Sequence, residues 1–415
     1  MKNFTLLIRL SLVLSLTSLL LVTSCQNNEE IEVQELSPLS NYTMEPIEGQ
    51  YVVVLKENMS GKYATQKYSD RILSLKKDYV TRFSTIKLAS NKIKQTYGYT
   101  ISGFAAQLDK EQLLSLRQDD RVKSIEQDYT ITLNPELSIL KGKPGGGGGG
   151  TTYPSEVIPW GISRVGGGIN VINNTSIGKA WIIDTGIDLT HPDLNVDKTG
   201  LNKSFLGGID SNNPNDGNGH GTHVAGTVAA IDNDIQVIGV AAGATVVAVR
   251  VLDSRGSGSY SGVIAGVDYV GANAKDGDAA NMSLGGPKDS ALNDAVKAAS
   301  TYNGKNIKFA IAAGNDSANA DNYSPASANG TNIYTVSAMD KYDVFAYFSN
   351  YGSSVDYCAP GVSILSLWKG GGMNTISGTS MATPHVCGLL LLGTVNSNGT
   401  VKQDPDGNPD LIAHY

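Results

Sequence analysis

Three short segments of this 415-residue chain carry side chains that can do nucleophilic chemistry together. In Ala180-Trp-Ile-Ile-Asp-Thr-Gly-Ile-Asp188 an apolar run predicts a strand that ends at Asp184, with a glycine turn behind it. An acid at the C-terminal end of a strand in an α/β sheet lies where sites form. In Asn218-Gly-His-Gly-Thr-His-Val-Ala-Gly-Thr227 the small residues around His220 let a helix start close to another backbone. In Ile376-Ser-Gly-Thr-Ser-Met-Ala-Thr-Pro-His-Val386, Ser380 stands at the predicted start of an apolar helix running through Leu392. A helix N-terminus offers free N–H groups and a positive dipole end, which suit a developing oxyanion. A serine hydroxyl is a weak nucleophile until a neighbouring base accepts its proton. An acid, a histidine and a serine brought together would supply that base and orient it.

Taken singly, each segment is weak. Asp-Thr-Gly also serves aspartic proteases, but that chemistry needs a second copy to make a carboxylate dyad, and the sequence has none. His220 and His223 lie three apart without an acid at HExxH spacing, which argues against zinc. A serine at a helix start is usually only a cap, and Gly-Thr-Ser-Met-Ala is not the G-x-S-x-G elbow of α/β-hydrolases. The chain order Asp184, His220, Ser380 differs from that of the chymotrypsin group and of the α/β-hydrolases, and is the subtilisin order. A fourth segment, Ala312-Ala-Gly-Asn-Asp316, completes the set. Together the four resemble the subtilisin family of serine proteases. Asp321-Asn-Tyr-Ser-Pro-Ala-Ser327, Phe348-Ser-Asn-Tyr-Gly352 and Ser363-Ile-Leu-Ser366 resemble its proteinase K-like branch.

The resemblance implies an α/β, three-layer fold with a mostly parallel central sheet, and peptide-bond hydrolysis through an acyl-enzyme without a catalytic cofactor. Ser380 would attack, His220 would carry the proton, and Asp184 would orient the imidazole. Asn315 and the Ser380 N–H would hold the oxyanion. Ser283, Leu284, Gly285 and Gly286 would pair with an extended polypeptide substrate. With Ala312, Ala313 and Gly314 they would wall a pocket for an apolar or aromatic side chain. Asp356, with carbonyls near Thr331 and Ile333, matches a structural calcium site of the branch, although Ser327 to Tyr334 holds about two extra residues by that comparison. A solvated acidic surface is the other reading of Asp356. After the Ser380 helix only about twenty residues remain, so the C-terminal helices usual in the family are expected to be absent or remodelled.

Upstream, Tyr51–Leu55 predicts a strand, 63–86 a helical segment, 94–100 and 103–108 two strands, 110–118 a helix capped by Asp109, and 122–128 a last strand. The order β-α-β-β-α-β is the ferredoxin-like pattern. Tyr99 to Leu108 and Arg121 to Asp128 resemble the inhibitory prodomain of subtilisin-like proteases. The expected organisation is a signal peptide over 1–25, a tether over 26–48, the prodomain over 49–133, a cleavable linker over 134–154 and the catalytic domain over 155–415. Self-cleavage is expected between about Pro135 and Glu156, with the prodomain acting as an intramolecular inhibitor of a monomeric enzyme.

Composition fits this division. Residues 26–150 hold 16 Lys+Arg and 16 Asp+Glu, whereas 151–415 hold 14 and 23, and 36 of the 47 glycines. The six glycines from Gly145 to Gly150 mark the seam as a flexible linker. A net charge of −7 gives no basic surface for nucleic acid. Lys2 and Arg9, the apolar run Leu10 to Val22, and Val22-Thr-Ser-Cys25 resemble a bacterial lipoprotein signal, with Cys25 the lipidated residue and a membrane anchor. An ordinary signal peptide is the alternative, and either one implies export to the cell envelope or beyond. Cys358 and Cys387 are left as a disulfide pair or as two buried thiols. A selective processing protease, or a silent surface binding module, would carry the same motifs. A serine-carboxyl peptidase would need Glu for His220 and Asp for Asn315.

Overall fold

The computed structural model describes residues 45–59, 61–133 and 153–415. The signal segment with Cys25, most of the tether, and the glycine linker lie outside the described residues. None of the described helices is long and apolar enough to cross a membrane.

The N-terminal region forms β1 (Pro46–Leu55), α1 (Tyr68–Arg82), β2 (Ile93–Tyr97), β3 (Gly103–Gln107), α2 (Lys110–Arg117) and β4 (Val122–Thr132). β1 starts three residues before the boundary expected for the tether. Asp109 caps α2 as expected, accepting from Gln112 N at 2.8 Å, while Gln112 Oε1 accepts from Asp109 N at 3.1 Å. The sheet order β2-β3-β1-β4 is antiparallel throughout. Its helices cover one face, where Leu75, Tyr79, Phe83, Phe104 and Leu116 pack as a separate core. β4 runs four residues beyond the predicted end at Asp128.

The larger region follows with α3 (Trp160–Arg164), β5 (Ala180–Asp184), β6 (Lys203–Ser204), α4 (His220–Ala229), β7 (Val246–Arg250), β8 (Ser257–Ser259) and α5 (Tyr260–Asn273). Next come β9 (Ala279–Met282), β10 (Gly286–Pro287), α6 (Ser290–Ser300), β11 (Lys308–Ala312), β12 (Tyr323–Ser324), β13 (Ile333–Met339) and β14 (Tyr357–Pro360). The chain ends with β15 (Ile364–Trp368), β16 (Gly372–Ile376), α7 (Thr379–Leu392), β17 (Asn396–Thr400) and β18 (Leu411–His414). The main sheet has the order β17-β18-β14-β13-β11-β9-β5-β7-β6. Every pairing in it is parallel except β17 with β18. The central strands read as near-continuous apolar runs because helices cover both faces. α4 and α7 pack on one side in one core cluster, and α5 and α6 in another on the opposite side. This is the three-layer α/β architecture with a mostly parallel sheet.

The C-terminal segment is remodelled rather than missing. β17 and β18 form a hairpin, and β18 extends the main sheet beside β14. Cys358 and Cys387 are both buried and unbonded, so the thiol alternative holds. Burial pushes the Cys387 thiol up to about 12 and that of Cys358 well above its usual value, so neither is reactive.

Candidate active site

β5 delivers Asp184 at its last residue, fully buried at the C-terminal edge of the sheet. The backbone N–H of Thr185 donates to Asp184 Oδ1 at 2.7 Å. α4 begins at His220 and brings its imidazole over the same edge, so that His220 Nδ1 lies 2.8 and 2.9 Å from the two oxygens of Asp184. Both glycines flanking His220 are required by contact, and Gly219 by conformation as well. Gly219 has φ +120, and a Cβ there would sit 2.2 Å from the Trp368 ring. A Cβ on Gly221 would sit 2.0 Å from Gly186 O and 3.2 Å from Asp184 Oδ1.

Burial pulls the His220 imidazolium down, but the adjacent Asp184 carboxylate, with Asp216 further off, outweighs it and leaves the group above its usual value. The two other histidines near this core are different. His223 Nε2 donates to Ile364 O at 3.0 Å, and burial depresses the group to about 3. His385 is depressed to about 4 by burial. Both are lowered by burial, whereas His220 is raised.

α7 starts at Thr379, so Ser380 sits in its first turn after Gly378. The Ser380 hydroxyl donates to Ser283 O at 3.1 Å, and the Ser283 hydroxyl donates back to Ser380 O at 2.8 Å. Among the described residues no hydrogen bond joins Ser380 to His220, so attack requires a turn of the serine side chain, as is common without substrate. Asn315 Oδ1 accepts from Thr379 N at 2.8 Å and from Thr379 Oγ1 at 3.0 Å. Both acceptor bonds fall on the oxygen, which fixes the amide and leaves Nδ2 as a donor. A point at the Cβ position of Gly378 is 3.7 Å from both Asn315 Nδ2 and Ser380 N. The Asn315 amide, whose Oδ1 is also 3.7 Å from that point, and the Ser380 N–H thus lie on the same side of Gly378.

Ser283, through its two bonds with Ser380, and Gly314 border this point. Gly314 N donates to Thr379 Oγ1 at 3.2 Å, and Gly286–Pro287 pairs with Tyr323–Ser324. Ser283, Leu284, Gly286, Ala312 and Ala313 are buried with the N-terminal region in place, while Gly285 and Gly314 are half-buried. Asp356 lies elsewhere, at the far side of β13, where Thr335 N donates to its Oδ2 at 2.8 Å. Thr331 is exposed in the preceding loop and Ile333 opens β13.

A further edge was not anticipated from the sequence. β8 joins the N-terminal sheet, pairing antiparallel with β4 through Thr130↔Ser259, Ile131↔Gly258 and Thr132↔Ser257. Leu133 N adds a bond to Gly256 O at 2.9 Å. Ile131 enters the core cluster of the larger region together with Val52, Val54, Tyr97 and Ala105. Burying side chains of this size contributes roughly 1.5–3 kcal/mol each for full transfer from water. The only local signal for β8 was Gly256-Ser-Gly-Ser259, which reads as a loop until a partner strand supplies its pairing.

Carboxylates complete this contact. Glu126 accepts from Ser290 N at 3.2 Å and from the Ser290 hydroxyl at the start of α6. Asp128 Oδ1 accepts from Ser261 N at 3.1 Å at the start of α5. In return, Asp268 of α5 is fully buried and accepts from Tyr99 N at 2.8 Å, Thr100 N at 2.7 Å and the Thr100 hydroxyl at 3.0 Å. Burial, only partly offset by those donors, lifts Asp268 to about 6.

A family model described as "Subtilase family" matches residues 174–403, and one described as "Peptidase inhibitor I9" matches residues 50–134. The chain is 42% identical over 313 residues to alkaline serine exoprotease A of Vibrio alginolyticus, which covers 74% of this chain but 54% of that protein. It therefore spans about half the length of that relative. It is 41% identical over 326 residues to the subtilisin-like serine protease AsES of Sarocladium strictum, covering 75% and 76% of the two chains. The solved structure of a cold-adapted subtilisin-like serine proteinase superposes with a TM-score of 0.52 at 38% identity, covering 61% of this chain and 97% of that one. The chain belongs to the subtilase family of serine endopeptidases and carries a peptidase inhibitor I9 prodomain ahead of the enzyme.

Proposed function

We propose that this chain is an exported zymogen whose endopeptidase activity rests on Ser380, His220 and Asp184, with Asn315 and the Ser380 N–H as the oxyanion donors. The observation that carries the reading is the buried Asp184 bonded to His220 at 2.8 Å at the start of α4, with Ser380 in the first turn of α7, the helix packed against α4. His220 Nε2 takes the proton from the Ser380 hydroxyl as it attacks the scissile carbonyl, and returns it to the leaving amine. Asp184 keeps the proton on Nδ1 and stabilises the imidazolium that forms. Asn315 Nδ2 and Ser380 N meet the negative oxygen of the tetrahedral intermediate. Water then attacks the acyl-enzyme by the same route.

The substrate lies extended against β8, as β4 does in the precursor, and along Ser283 to Gly286, entering the cleft as an added strand. Ala312, Ala313 and Gly314 offer no bulk, which supports broad cleavage after apolar or aromatic residues. The prodomain blocks the cleft until the chain cuts itself in 134–154. Lys2, Arg9, the apolar run to Val22 and the Val-Thr-Ser-Cys25 segment support export with a lipid on Cys25. That lipid leaves with the prodomain once the two separate. Asp356 with the carbonyls of Thr331 and Ile333 would give calcium a single-carboxylate oxygen site, completed by water. The mass of the purified product tests self-processing. A wild-type chain shortened within 134–154 and an intact Ser380→Ala chain support it, and equal masses overturn it.

A further inference from the structure

Asp216 is buried beneath the catalytic edge and accepts five hydrogen bonds. Oδ1 takes the Thr185 hydroxyl at 2.9 Å, Asn218 N at 2.8 Å and Gly219 N at 2.9 Å. Oδ2 takes Thr222 N at 2.9 Å and the Thr222 hydroxyl at 2.6 Å. Thr185 is the residue after Asp184, and its own N–H donates to the Asp184 carboxylate. The Thr185 hydroxyl also accepts from Gly221 N at 2.9 Å. Gly219, Gly221 and Thr222 are the backbone on which His220 is mounted. One carboxylate thus fastens both halves of the Asp184–His220 pair. Among the described residues no Lys or Arg forms an ion pair with Asp216. The nearby Arg250 guanidinium pairs instead with Asp210 at 3.2 Å and bonds to Asn213 O. The charged groups of its surroundings are Asp184 and His220, the Arg250 guanidinium beside Gly217, and Lys369, whose ammonium donates to Gly217 O, with Asp188 linked through Thr222, whose hydroxyl accepts from Asp188 N at 2.9 Å. A buried charge without a cationic partner is costly unless hydrogen bonds satisfy it, and here they are all spent on the two elements of the active site.

We propose that Asp216 is a positioning residue for the triad, locking the strand end that carries Asp184 to the helix start that carries His220 and placing a second negative charge behind the imidazole. This inference rests on the triad reading above. The test compares wild type, Asp216→Asn and Thr185→Val as mature enzymes, with kcat/KM on a chromogenic peptide normalised to fluorophosphonate-titrated sites. Asp216→Asn should lose about 10–100-fold in kcat with little change in KM, the size expected when a charge-assisted bond of roughly 1.5–3 kcal/mol is lost. Its acid limb should also move toward acid by roughly half a pH unit or more, because a charge near His220 is gone. Thr185→Val keeps that charge and should lose kcat without moving the limb. An unchanged limb and unchanged per-site kcat in Asp216→Asn would overturn the proposal. If Asp216→Asn does not mature, Thr185→Val decides alone: wild-type kcat in it rejects the locking role. A wild-type enzyme that takes no label at Ser380 would instead defeat the triad reading, which separates the two failures.

Discussion

Ile131 of the prodomain faces Gly258 of the catalytic domain across an antiparallel ladder, the last inhibitor strand having been added to the enzyme's own edge. The side chain is buried in the catalytic core cluster, and no side chain on Gly258 competes for the space. Replacing Ile131 with Asp would bury a charge against Val and Leu neighbours. In the Ser380→Ala full-length chain, Ile131→Asp should expose the prodomain to added protease at least tenfold faster, while leaving the catalytic region resistant. Equal cleavage rates would mean that the ladder contributes little to docking.

Docking should also depend on pH. Asp268 sits at about 6 when covered by the loop around Tyr99 and Thr100, and an uncovered carboxyl would return toward its ordinary value near 3.9. The docked form thus binds more protons. This contribution is full below about pH 4 and is lost as the pH rises through about 6. Asp128, raised by burial, and Asp289, raised by burial to about 7, work in the same direction. Hydrogen-exchange protection over 98–107 of the Ser380→Ala chain, corrected for intrinsic rates, should fall between pH 5 and pH 8. Asp268→Asn should flatten the difference, and a flat wild-type profile would contradict the account.

The oxyanion donor has a separable signature. Asn315→Ala keeps nucleophile and base but removes one of two donors, so kcat should fall by about 10²–10³ with KM nearly constant. That magnitude comes from subtilisin itself, a member of the family, and not from this chain. A loss confined to KM would assign Asn315 to ground-state binding.

Activity should fail in acid earlier than for an ordinary imidazole. The Asp184 carboxylate holds His220 above its usual value despite burial, so the inactive imidazolium persists to higher pH. The acid limb of kcat/KM should therefore lie above about 6.5. Asp184→Asn should move it toward acid and lower kcat by about 10⁴, as in chymotrypsin-type triads. An acid limb below 6 in the wild type would rule out this electrostatic coupling.

Gly221 tests the packing. Alanine is the better helix former by about 1 kcal/mol, yet its Cβ would meet Gly186 O at 2.0 Å. The clash should win, costing about 1–3 kcal/mol of stability or more and displacing His220. Thermal unfolding with per-site kcat would show both losses, and a stabilised, fully active Gly221→Ala would refute the contact.

Much of the site was legible because its chemistry is local. Asp184 at a strand end, His220 between glycines and Ser380 at a helix start each leave a mark within ten residues. The ferredoxin-like order was legible too, from alternating apolar runs and the Asp109 cap. What escaped the sequence is non-local. β8 is a strand because β4 pairs with it, and β4 extends past Asp128 because both the start of β1 and β8 receive it. Asp216 reads as one more loop acid in Asn215-Asp-Gly-Asn218 until the fold gathers Thr185 and Thr222 around it. The state of Cys358 and Cys387 depends on β14 and α7 holding them apart from any bonded geometry. The C-terminal hairpin, where helices were expected to be absent or remodelled, was not readable as strands because β17 is the polar run Asn-Ser-Asn-Gly-Thr with no apolar alternation.

Covalent labelling by a serine-directed fluorophosphonate tests the central claim most directly. The mature protein should take one label per molecule on the peptide containing Ser380, and Ser380→Ala should take none. Failure of correctly folded mature protein to label, or a label on another residue, would contradict the account.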